Sequence, residues 1–193
     1  MIWCVACGFY FLAGLMRCPR CDCPTPADAD NPEKKIHTLL KTLSSAIVAA
    51  LRPPRAITLT PWFDYHGFRK ARIDHEGAGG GPAIAFPVPS SVQVEFVVVV
   101  EDLSHEIHYH REAHALTTVL GNAEGFPDPR RAAIYLAGAW RPVGAGDVFD
   151  IPSGTPHGFT VAPDGYLAFL SVQSPPIERP DGADDYYRTE AGA

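Results

Sequence analysis

Cysteine is absent from the whole of the chain after residue 23. All five cysteines of the 193-residue sequence precede that point, so no disulfide can form within residues 24–193. Small secreted domains usually distribute a disulfide framework along the chain, whereas closely spaced cysteines in a reducing compartment usually bind a metal. The distribution excludes a disulfide scaffold for most of the chain and favours a cytoplasmic protein.

Long apolar runs and an excess of basic residues are also lacking. No later apolar run approaches the roughly 18 residues of a transmembrane helix, so we expect no membrane association. The apolar residues 1–16 lack a basic region and contain Cys4 and Cys7, which argues against a signal peptide. Sixteen Lys and Arg against 22 Asp and Glu give a net charge of −6. This charge argues against a nucleic-acid partner.

Proline and glycine, in contrast, are abundant. The chain has 19 Pro and 17 Gly, and it shows no internal repeat. This composition predicts short strands separated by turns, in a sandwich or barrel. The 46% hydrophobic fraction is ordinary for a folded domain, so the sequence predicts an all-β globular protein.

Residues 1–24 contain two Cys-x2-Cys pairs, formed by Cys4 with Cys7 and by Cys18 with Cys21. Four thiolates satisfy tetrahedral Zn²⁺, and such a closed site is structural rather than catalytic. The stretch resembles a zinc ribbon or a rubredoxin-like iron knuckle, which implies Zn (or Fe) and a structural or partner-docking role. Cys23 can compete with Cys21 as the fourth ligand, and two redox-active pairs are the alternative.

Residues 25–54 are predicted to contain a linker and one amphipathic helix. Asn31 suits the N-cap, Pro32 the first helical position, and Pro53 ends the helix. The apolar residues at helical spacing are Ile36, Leu39, Leu40, Leu43, Ile47 and Leu51. This stripe is expected to pack on the rest of the chain or on a second subunit, and we expect a homodimer.

Residues 55–175 are predicted to form a β-barrel, and residues 176–193 an extended, solvated acidic tail. The β-branched run Val92 to Val100 is the clearest strand. Further short strands are expected at 57–60, 62–65, 115–120, 132–136, 148–151, 157–161 and 166–172.

Four of the eight histidines form a pattern typical of a metal site. His108 and His110 have the period-two spacing that places side chains on one face of a strand. His114 follows closely, and His157 ends a separate Pro- and Gly-containing segment. Since imidazole is the commonest side-chain ligand for transition metals, we expect these four rings to hold one ion.

These histidines lie in two stretches that resemble the cupin motifs. His108-x-His110-x3-His114-x6-Gly121 is similar to the first motif, in which Glu usually stands where this chain has His114. Gly146-x5-Pro152-x-Gly154-x2-His157 is similar to the second motif. The leading Gly of the first motif is replaced by Asp102, and a frequent Asn of the second by Val161. The resemblance implies a double-stranded β-helix (cupin or jelly-roll) barrel with all four ligands at its mouth.

The ligand set determines which metals are expected. Four neutral imidazoles suit Fe, Mn, Ni, Cu or Zn and argue against Mg and Ca. Because metal binding needs neutral rings, affinity is expected to fall below about pH 6.5. The set lacks a carboxylate that could act as a base. Glu95, Glu112 and Tyr135 are therefore the candidate catalytic residues.

Three functions are compatible with this site. The first is a dioxygenase-type oxidoreductase acting on a small oxygenated molecule. The second is a non-oxidative isomerase, lyase or epimerase. The third is a non-catalytic module that senses a metal or a small ligand. The barrel alone cannot distinguish them, because one fold hosts many functions.

Overall fold

A computed structural model describes residues 2–3, 10–11, 32–52, 57–73, 88–178, 182 and 184–189. The five cysteines, and with them the predicted Cys4, Cys7, Cys18 and Cys21 site, lie outside these residues. At the N terminus the backbone of β1 (Ile2–Trp3) pairs antiparallel with β2 (Tyr10–Phe11).

The rest of the described chain is one helix and ten strands. The helix is α1 (Pro32–Leu51), and a 3₁₀ turn spans Asn122–Glu124. The strands are β3 (Phe63–Tyr65), β4 (Phe68–Arg72), β5 (Gln93–Val99), β6 (His108–Tyr109), β7 (His114–Val119), β8 (Arg130–Leu136), β9 (Ala139–Pro142), β10 (Val148–Ile151), β11 (His157–Ser174) and β12 (Tyr187–Arg188). No helix in the described segments has the length and hydropathy needed to cross a bilayer.

Strand β11 is the centre of the curled sheet. Its C-terminal part pairs antiparallel with β5 on one side and β7 on the other. Its N-terminal part pairs with β8, and His157 pairs with His108 of β6. A register shift between Val161 and Tyr166 separates the two parts, and such an irregularity bends a strand. The predicted all-β, cupin-like barrel is therefore confirmed.

Helix α1 covers the outer face of this sheet, as its apolar stripe predicts. Leu40 and Ile47 are fully buried and lie in one cluster with Phe96, Leu116 and Leu170 of the strands. Each buried Leu or Ile contributes about 1.5–3 kcal/mol through apolar burial. The apolar stripe of α1 is buried against strands of its own chain, so it gives no support to the predicted homodimer.

The inner face of the sheet becomes polar toward one end of the barrel. Side chains alternate between the two faces of each strand, so β5, β7 and β11 contribute residues with odd numbers to the interior. Deep in the barrel these are apolar, as for Val97, Val119 and Phe169. Near the histidines they are Gln93, Glu95, Thr117, Ser171 and Gln173.

The sequence predicts a solvated C-terminal tail, but the described part of this segment lies against the barrel. Ile177 and Asp185 are each 2% exposed, and Tyr187–Arg188 adds a strand to β6. An unpaired strand edge and unpaired amides are costly to bury. The hydrogen bonds that this segment makes to such groups therefore hold it against the barrel. The predicted tail is, in its described part, a wall of the barrel.

The motif glycines are required for two different reasons. Gly146 and Gly154 have φ of 87° and 74°, which favour glycine in the turns before β10 and β11. Gly121 is extended, with φ of −150°. A Cβ there would overlap Asp128 Oδ1 and lie 2.7 Å from the Cβ of Ala145, so Gly121 permits close packing of two loops.

Candidate metal centre

Three of the four predicted histidines meet at the polar end of the barrel. His108 lies on β6, His110 directly after it, and His157 at the start of β11. Their ligand atoms lie within 4.8 Å of one another, and their ring centroids are 4.4–5.1 Å apart. All three are 5% exposed or less. The antiparallel pairing of His157 with His108 brings the two sequence motifs together.

Backbone carbonyls fix the tautomer of each ring. The Nδ1 atom of His108 donates to the carbonyl of Glu106 at 3.0 Å, and that of His157 to Thr155 at 2.9 Å. His110 Nδ1 donates to the carbonyl of Asp185 at 2.5 Å. Since a carbonyl oxygen only accepts, each Nδ1 carries hydrogen and each Nε2 keeps its lone pair. Oriented, neutral imidazoles of this kind are what a metal ion binds.

Burial keeps these rings neutral. Desolvation lowers the pKa of all three, and the charge of a neighbouring ring adds to the effect for His108 and His157. The pKa of His157 falls to about 3. Protons therefore compete with a metal only at a pH below the unperturbed histidine pKa of about 6.5. The pH at which metal affinity begins to fall is accordingly expected to be lower than the sequence alone predicts.

The same pKa shifts predict the acid sensitivity of the metal-free protein. Below about pH 6.5 the unfolded chain binds protons on these histidines while the folded chain does not, so unfolding becomes easier. Each ring is expected to lower the free energy of unfolding by about 1.4 kcal/mol per pH unit, until its own folded pKa is reached. Urea denaturation at pH 7.5, 6.0 and 5.0, in chelator, measures the slope.

The variant His157→Gln is the control for this slope. It removes one of the shifted groups, so its stability is expected to fall less steeply between pH 6.5 and pH 5. Equal slopes for the variant and the original chain would contradict a neutral, buried His157.

His114 does not belong to this centre, and the prediction of a four-histidine set is wrong in that residue. On β7 the inward positions are Ala115 and Thr117, which line the cavity. His114 is on the opposite face, where it contacts His37 and forms a short hydrogen bond with Asp150. The alternation of the strand is the physical reason. Among the described residues, the group that could hold an ion here consists of three histidines and includes no carboxylate.

A cavity of about 40 Å³ extends from the three rings into the barrel, which is room for an ion and a few waters. Its polar lining, besides the histidines, consists of Tyr65, Lys70, Glu95, Thr117, Ser171, Gln173 and Tyr186.

Of the three candidate catalytic residues, the structure places only Glu95 on the cavity wall. Its carboxylate is fully buried and accepts hydrogen bonds from Lys70 Nζ and Gln93 Nε2, both at 2.8 Å. Glu112 is exposed outside the cavity. Tyr135 lies on the outer side of β8 and packs against Trp140, with the two ring centroids 5.5 Å apart.

Tyr65, Lys70 and Tyr186 line the cavity, although no motif in the sequence marks them as site residues. Lys70 is buried on β4, with Nζ 3.8 Å from the centre of the Tyr65 ring. Tyr186 stacks on His108, with ring centroids 4.1 Å apart, and donates to Glu106 at 3.1 Å. Burial raises the pKa of both tyrosines, so they remain neutral donors. Lys70 belongs to no motif, and Tyr186 falls in the expected tail.

No family model matches this sequence, and no curated protein is significantly similar to it. Among solved structures, the polyketide cyclase RemF of Streptomyces resistomycificus is 20% identical, with 69% of this chain and 80% of RemF covered and a TM-score of 0.45. Pac13 of Streptomyces, described as a nucleoside dehydratase and solved with uridine, is 15% identical over 68% of this chain and 85% of its own, with a TM-score of 0.45. A cupin protein of Bacteroides fragilis is 17% identical over 44% and 66%, with a TM-score of 0.36. At these identities the function of this chain must be argued from its own residues.

Proposed function

We propose that this chain is a metal-dependent, non-oxidative enzyme, a lyase or isomerase that acts on a small oxygenated organic molecule. The observation that carries the proposal is the position of Glu95, a fully buried carboxylate in the same cavity as His108, His110 and His157. A buried acid–base group beside a cluster of metal ligands is the arrangement that proton transfer next to a polarised oxygen requires.

The three histidines fit a first-row transition metal. Each presents a neutral Nε2, and nitrogen ligands favour Fe, Mn, Ni, Cu or Zn over Mg and Ca. A metal bound by these three rings would supply a positive charge that polarises an oxygen of the substrate. Three neutral ligands do not reduce that charge.

Glu95 and Lys70 would handle the proton. Glu95 accepts hydrogen bonds from Lys70 Nζ and the Gln93 amide, and it would accept a proton from a substrate carbon. Lys70 Nζ lies 2.8 Å from that carboxylate, and it would deliver a proton to a departing oxygen or to a neighbouring carbon on the same side of the substrate. Elimination and isomerisation both need these two transfers, and neither needs an oxidant.

The variant Glu95→Gln is expected to lose most of the proton-transfer activity. General acid–base catalysis contributes roughly 10²- to 10⁴-fold, so a loss of at least about 10²-fold is expected. The measurement is NMR-detected incorporation of solvent deuterium into a panel of hydroxy acids, sugars and β-dicarbonyl compounds. Circular dichroism would establish that the variant is folded, since disrupting a buried ion pair can cost about 3–5 kcal/mol.

The matched control is Glu112→Gln, which removes the same charge from the exposed candidate and is expected to leave the exchange rate unchanged. Oxygen consumption that persists in Glu95→Gln would contradict the proposal and favour the dioxygenase. Ligand binding without any turnover in the original chain would favour the sensor.

A further inference from the structure

His114, which lies outside the barrel centre, belongs to a second cluster of side chains that could bind a metal. His114 meets His37 and Asp150, and the ligand atoms of the three lie within 4.8 Å of one another. His37 Nδ1 is 3.3 Å from Asp150 Oδ2, and His114 Nε2 forms a short hydrogen bond with Oδ1.

The fold brings the three residues together from separate elements. Asp150 pairs with Leu116 across β10 and β7, so it is the diagonal neighbour of His114 on the outer face. Helix α1 lies along the same strand, since Ser44 and Thr118 form a hydrogen bond of 2.8 Å. Moving seven residues back along the helix and four back along the strand covers similar lengths, about 10 and 13 Å, and leads to His37 above His114.

We propose that His37, His114 and Asp150 form a second site for a divalent transition metal, in the class of Zn²⁺, Ni²⁺ or Cu²⁺. Two imidazole nitrogens and one carboxylate oxygen are a ligand set that these ions accept. Ligand atoms bound tetrahedrally at 2.0–2.2 Å are about 3.4 Å apart. In this cluster Asp150 contacts both rings, with Oδ2 3.3 Å from His37 Nδ1 and Oδ1 hydrogen-bonded to His114 Nε2, and one ligand atom from each residue lies within 4.8 Å of the others. Small side-chain movements would bring them to that spacing.

This site differs from the barrel centre in its exposure to solvent and in the elements that a bound ion would connect. His37 and Asp150 are 40% and 45% exposed, so an ion can enter from solvent and keep bound water. The two sites lie on opposite faces of the sheet and share no residue. An ion held here joins the first half of α1 to β7 and β10. Metal binding would therefore stabilise the docked helix.

The test is Zn²⁺ binding to the full chain, measured by equilibrium dialysis with elemental analysis. The variants His37→Gln, His114→Gln and Asp150→Asn are expected to bind one Zn²⁺ ion fewer per chain than the original. His105→Gln, an exposed histidine paired with Glu106, is expected to bind the same number as the original. His110→Gln is expected to lose a different ion, so failure of this site and failure of the proposed function give different results.

Hydrogen exchange provides a readout within the helix. At Zn²⁺ concentrations well above the Kd, exchange of amides in residues 32–51 is expected to slow by about tenfold or more in the original chain. It is expected to be unaffected by Zn²⁺ in His37→Gln, whose exposed substitution leaves the folded core intact. Equal Zn²⁺ content in the original and in all three variants, with unchanged helix exchange, would overturn the proposal and leave an ordinary hydrogen-bonded cluster.

Discussion

Replacing His157 by alanine is expected to abolish metal binding at the barrel centre. The ring supplies one of three converging Nε2 atoms, and its removal leaves the ion with two ligands on neighbouring residues of one segment. Loss of a group that only orients a ligand costs roughly 10- to 100-fold in affinity, so loss of the ligand itself should cost more. Elemental analysis of the dialysed protein and chelator competition would measure the change.

A surface histidine provides the comparison for this substitution. His105 is close in sequence to the centre, but its side chain is 62% exposed and contacts Glu106. The variant His105→Ala is expected to retain the metal content of the original chain. If His157→Ala also retained it with unchanged affinity, the three-histidine centre would be wrong.

Replacing Asp185 by alanine is expected to weaken both the fold and the metal centre. Its buried carboxylate accepts hydrogen bonds from the backbone amides of Arg111, Glu112 and Ala113 at 2.9–3.0 Å. Its own carbonyl accepts the Nδ1 hydrogen of His110. Losing three hydrogen bonds to a charged, buried group is expected to cost roughly 3–5 kcal/mol of unfolding free energy. The alanine variant keeps that carbonyl, but the segment that carries it loses its anchor to the amides of residues 111–113. Metal affinity is therefore expected to drop about 10- to 100-fold, because the displaced carbonyl no longer orients His110.

Urea denaturation and metal competition would measure these two effects separately. Asp185→Asn keeps one acceptor oxygen and is expected to fall between the original and the alanine variant. Asp184→Ala is the matched control, because the neighbouring aspartate is exposed and, among the described hydrogen bonds, its side chain contacts only Tyr65 and His66. Equal effects of the two alanine substitutions would show that the carboxylate of Asp185 has no special role.

Much of the scaffold follows from the sequence because the determining interactions are local. The helical spacing of apolar residues and the prolines at both ends define α1 as Pro32–Leu51. Likewise, period two places His108 and His110 together. The turn with Gly154 precedes the strand that begins at His157. Those features depend on backbone preferences and on side-chain periodicity over a few residues.

The residues around the metal centre could not be deduced in the same way. Lys70 has no motif and reaches Glu95 only because β4 pairs with β5. Asp185 and Tyr186 carry the charge and polarity of a solvated tail, so composition alone predicts exposure. Their burial depends on the free edge of β6 and on the unpaired amides of residues 111–113, which only the assembled barrel presents.

The sequence by itself predicted one site that contains His108, His110 and His157, with His114 as a fourth member. The period of a strand also requires that alternate residues of β7 face opposite ways. Only the tertiary structure decided which of those alternate residues face inward. Alternation fixes the relative direction of neighbouring side chains, whereas the interior face is set by the pairing of β7 with β10 and β11 and by the docking of α1. That long-range choice directs Ala115 into the cavity and His114 to the helix.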